Sequence, residues 1–156
     1  MKIKLIVVGK TKSKYLVDGE IEYEKRLKHY TKFEEITIPD VKHSGKLSES
    51  ELKKKEGQMI LAKLENSEHV ILLDDKGKSH SSIEFANFLQ QKMNCGLKSL
   101  VFVIGGPYGF SDEVYQSANL KLSLSKMTFS HQMIRMIFKE QLYRGFSVLR
   151  GEKYHH

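Results

Sequence analysis

The stretch Ser99-Leu100-Val101-Phe102-Val103-Ile104-Gly105-Gly106-Pro107-Tyr108-Gly109 decides the fold class of this 156-residue chain. Residues 99–104 form the most apolar run of the sequence and lack polar alternation, which is typical of a strand buried on both faces. The glycines that follow allow a tight turn in which backbone amides can approach a ligand. The stretch therefore predicts a buried strand that ends in a candidate binding loop, although an ordinary turn is the simpler interpretation of the glycines alone.

Strand and helix patterns alternate on both sides of this stretch. Further strands are predicted over residues 2–8, 33–38, 69–73 and 120–124, with a polar loop at 74–80. Amphipathic helices are predicted over 15–30, after Ser48, after Ser81, briefly after Ser111, and over 129–149. The Ser-x-x-Glu spacing at 48–51 and 81–84 is that of a capping box. This alternation predicts an α/β fold, in which a mostly parallel sheet carries helices on both faces, within a single domain spanning residues 1–156.

Composition excludes several classes of protein. Apolar residues make up 40% and there are two prolines, which indicates a folded chain. The single cysteine, Cys95, allows no disulfide within the chain and no thiolate cluster for zinc. No spacing of metal ligands and no suitable pair of carboxylates is evident, so no metal is expected. The apolar run that ends at Val8 is too short for a signal sequence or a membrane span. A cytoplasmic protein without a membrane segment is therefore expected.

Positive charge is concentrated near the C-terminus. The formal net charge is +7, and residues 121–156 contain seven basic and two acidic residues. A localised basic stretch attracts polyanions, nucleic acid above all. Charge alone leaves a merely basic protein as an equally good interpretation.

Two loops at the carboxyl ends of predicted strands are candidate binding segments, because ligands of open α/β sheets lie beyond those ends. The glycine loop at 105–109 matches neither the dinucleotide fingerprint nor the phosphate loop, which disfavours both nucleotide-binding classes. Residues 124–131, Leu-Ser-Lys-Met-Thr-Phe-Ser-His, alternate small polar with apolar side chains. Such a segment can bond the edge of a purine while its apolar side chains cover the ring. His131, near the predicted helix start, is expected to be neutral, and a histidine in such a position is more often structural than an acid or base.

The closing helix and the tail are the third candidate region. Glu140 and Arg144 are four residues apart and share a helix face, where an ion pair is the simplest interpretation. Apolar residues between 134 and 146 cover most of the helix, which predicts burial against the sheet and against a second subunit. From the residues alone, Tyr154-His155-His156 is most simply a frayed end.

Motifs along nearly the whole chain resemble the ribosomal RNA large subunit methyltransferase H family of the SPOUT superfamily. The N-terminal ones are Met1-Lys2-Ile3, Val8-Gly9-Lys10, Glu22-Tyr23-Glu24-Lys25-Arg26-Leu27 and Lys55-Glu56-Gly57. The C-terminal ones are Val103-Ile104-Gly105-Gly106, Leu124-Ser125-Lys126-Met127-Thr128, His131-Gln132-Met133-Ile134-Arg135, Gln141-Leu142-Tyr143-Arg144 and the pair Tyr154-His155. The sequence departs from the family at Ser130, where relatives often have proline.

The resemblance implies an enzyme that methylates N3 of a pseudouridine in the helix 69 loop of bacterial 23S rRNA, on assembled ribosomes, with S-adenosylmethionine as methyl donor. It further implies a homodimer and a C-terminal trefoil knot that holds the cofactor. By position, the residues implied to bind the cofactor are Leu73, Gly105, Leu124, Ser125, Lys126, Met127, Thr128 and Phe129. Those implied to face the RNA or to act in catalysis are Glu140, Arg144, Tyr154 and His155, with His155 as the candidate general base.

The main alternative is a non-catalytic RNA-binding module associated with the ribosome. Such a module would bind RNA in a salt-sensitive way without binding S-adenosylmethionine. Calorimetry with S-adenosylhomocysteine distinguishes the two hypotheses.

Overall fold

A computed structural model describes residues 1–66 and 68–154 of the chain. Within these residues, strands and helices alternate as the sequence predicts. The strands are β1 (Lys2–Val8), β2 (Lys32–Ile38), β3 (His69–Ser79), β4 (Ser99–Ile104) and β5 (Leu120–Ser123). The helices are α1 (Lys14–Leu27), α2 (Glu49–Leu61), α3 (Ser82–Asn94), α4 (Asp112–Ser117) and α5 (Met133–Leu149), and a short 3₁₀ helix covers Ser44–Lys46.

The sheet is parallel in each of its described pairings. Its strand order is β2-β1-β4-β3-β5, so the apolar strand β4 is central. Parallel pairing brings the carboxyl ends of the strands to one edge of the sheet, which we call the carboxyl edge. The loops that contain residues 9–13, 39–48, 105–111 and 124–132 all lie along this edge.

Helices cover both faces of the sheet and bury alternate residues of the central strands. On one face, Leu5 and Phe102 pack against α1, α3 and α5. On the other, Ile6 and Val103 pack against α2 and α4. The alternation follows from the two-residue period of a strand. The predicted fold class, a parallel sheet with helices on both faces, is thereby confirmed, whereas the knot stays a prediction.

Local signals set the helix starts. Ser48 and Ser81 accept hydrogen bonds from the backbone amides of Glu51 and Glu84, whose carboxylates bond back to the serine amides. Both predicted capping boxes are therefore present. No helix among the described residues is both long enough and apolar enough to cross a membrane.

The prediction of a loop at 74–80 was wrong, because β3 continues to Ser79. After an irregularity between Leu73 and Lys78, the strand pairs again with β5. A Cβ on Gly77 would lie 2.6 Å from the backbone of Leu122, so glycine permits this close pairing. The segment is polar because it lies at the margin of the sheet with little to bury, and a polar composition is also typical of loops.

Two predicted helix boundaries also needed correction. The closing helix begins at Met133 and not at Phe129, because residues 124–130 form bends and irregular backbone. The first helix ends at Leu27 and not at Tyr30. The non-helical segment 124–130 consequently stays at the carboxyl edge, beside the glycine loop.

Candidate functional site

A cavity of about 420 Å³ opens at the carboxyl ends of β4 and β5, beside the middle of β3. Three segments form its walls: the middle of β3 from Leu73 to Lys76, the glycine loop with its neighbours from Ile104 to Phe110, and residues from Leu122 at the end of β5 to Phe129, apart from Lys126. His131 and Ile134 complete it from the start of α5. Its volume lies in the range typical of small-molecule sites, roughly 300–1,000 Å³.

The glycine loop is a tight turn along one wall of the cavity. The Gly109 amide donates to the Gly106 carbonyl at 3.1 Å, and Gly109 has a φ of +80°, which favours glycine. A Cβ on Gly105 would lie 3.0 Å from the ring of Phe110. The close packing of this loop therefore explains its glycines without a ligand, and the same residues line the cavity.

A buried carboxylate supports the glycine loop from behind. Glu56 of α2 is 5% exposed, and a Cβ on Gly106 would lie 2.5 Å from its Oε2 atom. Burial, and then the nearby Asp40, raise the pKa of Glu56 above its ordinary value. Glu56 belongs to a quoted family motif, but nothing in the sequence indicated that it touches this loop.

The segment 124–129 is held by short polar side chains and leaves its apolar ones uncovered. Ser123 Oγ donates to the Ser125 carbonyl at 2.9 Å, and Ser125 Oγ accepts from the Met127 amide at 2.9 Å. Met127 is 77% and Phe129 43% exposed. Apolar side chains exposed at the mouth of a cavity are suited to covering a flat ring.

The structure brings together seven of the eight residues that the resemblance implies for cofactor binding. Lys126 is exposed and is not among the residues that line the cavity. Those that do line it are Leu73, Gly105, Leu124, Ser125, Met127, Thr128 and Phe129.

Asp74 and Tyr115 also line the cavity, and nothing in the sequence predicted that these two residues would meet. The Tyr115 hydroxyl donates to Asp74 Oδ2 at 2.5 Å. Burial alone would raise the pKa of Asp74, but the hydrogen bonds from Tyr115 and from the Lys76 amide outweigh it and hold the pKa below its usual range. The pair therefore gives the cavity a fixed negative charge.

His131 lines the cavity as a neutral imidazole at neutral pH. Burial, and then the positive charge of Arg135, lower its pKa. The sequence predicted the neutral form from the helix dipole, but His131 lies two residues before α5, so burial is the better explanation.

Two buried cations fix α5 beneath the cavity. Arg135, 1% exposed, donates to the Gly9 carbonyl at 2.9 Å and to the Val8 carbonyl. The Lys139 ammonium contacts the carboxylates of Glu20, Glu24 and Glu35 at 2.5–2.6 Å.

This carboxylate cluster was not evident from the sequence, because its members lie on α1 and β2. The three carboxylates are close enough together to ligate a metal ion. The Lys139 ammonium, however, contacts each of them and already supplies the positive charge. Burial alone would lower the pKa of Lys139, but the three glutamates, Glu35 foremost, raise it. The cluster is therefore an internal ion network.

The tail folds back onto α5. The Arg144 guanidinium bonds Glu140 at 2.5 and 3.0 Å, donates to the Tyr154 carbonyl at 3.2 Å and lies 4.7 Å from the centre of the Tyr154 ring. The Tyr154 hydroxyl donates to Glu140 Oε1 at 3.3 Å. The structure thus brings Glu140, Arg144 and Tyr154 together, while His155 lies outside the described residues.

This tail cluster, Glu140 with Arg144 and Tyr154, is separate from the cavity. None of its three residues lines the cavity. Glu140 lies six residues beyond Ile134, which corresponds to about 9 Å along the helix axis. The two sets of predicted site residues therefore occupy different places in one chain.

Comparison with known proteins agrees with the fold and with the motifs. A family model described as "Predicted SPOUT methyltransferase" matches residues 1–155. The ribosomal RNA large subunit methyltransferase H of Flavobacterium johnsoniae is 57% identical over 156 residues, covering 100% of this chain and 99% of the relative. The protein of the same name from Parabacteroides distasonis is 54% identical, with the same coverage.

One solved structure, a probable methylase family protein from Haemophilus influenzae Rd KW20, shares the fold. It has a TM-score of 0.52 at 14% identity, and the match covers 99% of this chain and 70% of that one. Full-length identity above 50% and a family model that spans the chain agree with the resemblance predicted from the motifs. The chain belongs to the SPOUT methyltransferase family.

Proposed function

We propose that this chain is an S-adenosylmethionine-dependent methyltransferase that modifies N3 of a pseudouridine in the helix 69 loop of bacterial 23S rRNA, on the assembled ribosome in the cytoplasm. The observation that carries the proposal is the cavity between the glycine loop and the segment 124–129. The names of the full-length relatives support ribosomal RNA as the substrate.

The residues around the cavity fit an adenosyl cofactor. Backbone groups of residues 122–128 can bond the edge of the adenine, while Met127 and Phe129 cover its ring. The glycine loop leaves room and backbone donors for the remainder of the molecule. When bound, the sulfonium of S-adenosylmethionine supplies an electrophilic methyl group. Asp74, ionised at neutral pH, gives this site a charge that complements a cation.

The tail cluster suits the RNA side of the reaction. Methylation at N3 removes a weakly acidic imide proton, so negative charge develops on the base. In this proposal Arg144 stabilises that charge, Glu140 holds the guanidinium in place, and Tyr154 stacks on the base. His155 remains the candidate general base, which contributes roughly 10²–10⁴-fold in such reactions. Alignment of the base in a site without water supplies much of the remaining rate.

A homodimer would join the two sets of residues. The tail cluster and the cavity do not meet within one chain. A second copy that places its tail over the cavity would bring Arg144 and Tyr154 to the bound cofactor. We therefore propose that each complete site combines the cavity of one copy with the tail of another.

The decisive experiment is methyl transfer from labelled S-adenosylmethionine to ribosomes, separated subunits and naked 23S rRNA in parallel. We expect incorporation into particles that contain helix 69, at a single pseudouridine located by mass spectrometry. Incorporation at another nucleotide would contradict the proposed target. If calorimetry detects no binding of S-adenosylhomocysteine, the alternative of a non-catalytic RNA-binding module replaces the enzyme. The exposed apolar side chains at the cavity favour the enzyme.

A further inference from the structure

We propose that the RNA backbone docks on four lysines of the loops that follow β1 and β2, and not on the basic C-terminal segment. These residues, Lys10, Lys12, Lys42 and Lys46, are called the lysine rim. The inference rests on the proposed function, because it assigns a docking surface for the RNA substrate. Some basic side chains of this chain are paired within the fold, whereas others are exposed without a carboxylate partner among the described residues. The inference follows from this difference.

The fold uses most of the C-terminal positive charge internally. Arg135 and Lys139 are 1% exposed and bond backbone carbonyls and glutamates. Arg144 pairs with Glu140 at 2.5 Å. The Arg150 guanidinium lies 4.3 Å from the centre of the Tyr30 ring and donates to the His29 carbonyl at 3.1 Å. Four of the seven basic residues in 121–156 therefore already have a partner within the fold, so the charge count there overstates the charge that is free to hold the RNA backbone.

The lysine rim is free to bind phosphate. Its four side chains are exposed, and among the described residues none of their ammonium groups lies within 4 Å of a carboxylate. The loops at 9–13 and 39–48 contain one acidic residue, Asp40. The Asp40 carboxylate lies against Gly9, at the base of the rim. Exposed lysines on neighbouring loops, without a carboxylate partner among the described residues, are suited to contact a nucleic-acid backbone.

The position of the rim connects it to the cavity. Both loops lie at the carboxyl edge, and β1 is the direct neighbour of β4, whose glycine loop lines the cavity. The backbone amides of Lys12 and Ser13 both donate to Gln132 Oε1, at 2.7 and 3.4 Å. Gln132 directly follows the cavity residue His131. Phosphates held on the rim would therefore hold an RNA strand at the edge of the sheet where the cavity opens.

The opposite edge of the sheet offers a matched control. Lys28, Lys63 and Lys98 lie in the turns after α1, α2 and α3, so they are at the amino ends of the strands. They are exposed like the rim lysines and have the same charge. Replacing three lysines at either edge changes the net charge equally, so only position distinguishes the two variants.

The experiment compares three triple variants with the wild type in steady-state methylation of ribosomes from 50 to 300 mM KCl. The rim variant is Lys10→Gln, Lys12→Gln and Lys42→Gln. The control variant is Lys28→Gln, Lys63→Gln and Lys98→Gln. The C-terminal variant is Lys121→Gln, Lys126→Gln and Lys153→Gln. Thermal unfolding and S-adenosylhomocysteine binding are measured for each, so that folding and cofactor affinity are known independently of RNA.

We expect the rim variant to raise KM for ribosomes about tenfold near 0.15 M salt and to reduce the slope of log KM against log salt by about 2 to 3. Its kcat and its S-adenosylhomocysteine affinity should stay within about twofold of wild type. The inference would be overturned if the rim variant kept the wild-type slope of log KM against log salt. It would also be overturned if KM rose as much in the control variant, or more in the C-terminal variant, than in the rim variant. Absence of methyl transfer by the wild type would contradict the proposed function instead.

Discussion

The junction of α1 with α5 and the segment 124–130 adjoin the same helix but are stabilised in opposite ways. At the junction, Lys139 contacts three glutamates and Phe138 is fully buried. In the segment, the Ser123 hydroxyl donates to the Ser125 carbonyl and the Ser125 hydroxyl accepts from the Met127 amide, while the side chains of Met127 and Phe129 stay exposed.

The buried, paired residues of the junction stabilise the fold, whereas the exposed apolar residues of the segment would bind a ligand. Side chains buried with paired charges have little freedom to adapt, whereas exposed apolar side chains can reorient around a ring. Binding would bury Met127 and Phe129 and so supply contacts that the free chain lacks. Mutations at the junction should therefore affect stability, and mutations in the segment should affect affinity.

The largest effect is expected for Lys139→Met at the junction. The change leaves three carboxylates near one another without their cation, and removing one partner of a buried ion network typically costs about 3–5 kcal/mol. Urea unfolding followed by circular dichroism measures the loss. Lys153→Met, an exposed lysine in the tail, is the matched control and should change the free energy of unfolding by less than about 0.5 kcal/mol. A loss below about 1 kcal/mol for Lys139→Met would show that the network does not stabilise the junction.

An intermediate effect on affinity is expected for Phe129→Ala in the segment. Removing the ring should weaken S-adenosylhomocysteine binding about tenfold, which corresponds to about 1.4 kcal/mol, with little change in unfolding. Calorimetry and urea unfolding measure the two quantities. Lys126→Ala, in the same segment but off the cavity, is the control and should leave affinity within about twofold. If Lys126→Ala weakens binding as much as Phe129→Ala does, the assignment of the cavity wall is wrong.

The smallest effect, a change in the free energy of unfolding with pH, is expected for Glu56→Gln. Glu56 packs against the glycine loop at Gly106. Because the pKa of Glu56 is raised in the folded state, that state retains a proton that the unfolded chain releases. Its contribution to stability therefore falls as pH rises above the ordinary value of 4.5 and through the folded pKa. Glutamine does not titrate, so the variant should equal the wild type near pH 4 and exceed it modestly near pH 8. If the unfolding free energies of the variant and the wild type differ by the same amount from pH 4 to pH 8, the pKa of Glu56 is not raised.

The sequence predicted most of the fold because hydrophobic period and capping serines act locally. Ser48 and Ser81 mark their helix starts, and the apolar run at 99–104 is the central strand. The prediction of a loop was wrong for residues 74–79, which form a polar stretch of strand β3 at the margin of the sheet. Propensity alone does not distinguish such a strand from a loop, because its side chains bury little.

The loops that form the cavity were predictable from the sequence, but the side-chain contacts around it were not. The two loops of the cavity were identified because parallel strands end at one edge. Glu56, Tyr115 and Lys139 were not identified as contacts, since their partners are distant in sequence and only the folded chain brings them together. The count of basic residues in 121–156 does not show which of their side chains are already paired within the fold.

The hydrogen bonds of Arg135 to Val8 and Gly9 join residues more than 120 positions apart. During synthesis, the end of the first strand therefore lacks this tie until the final helix has been translated. The cavity likewise needs residues up to Ile134. A nascent chain is consequently unable to assemble its binding pocket before Ile134 has been synthesised.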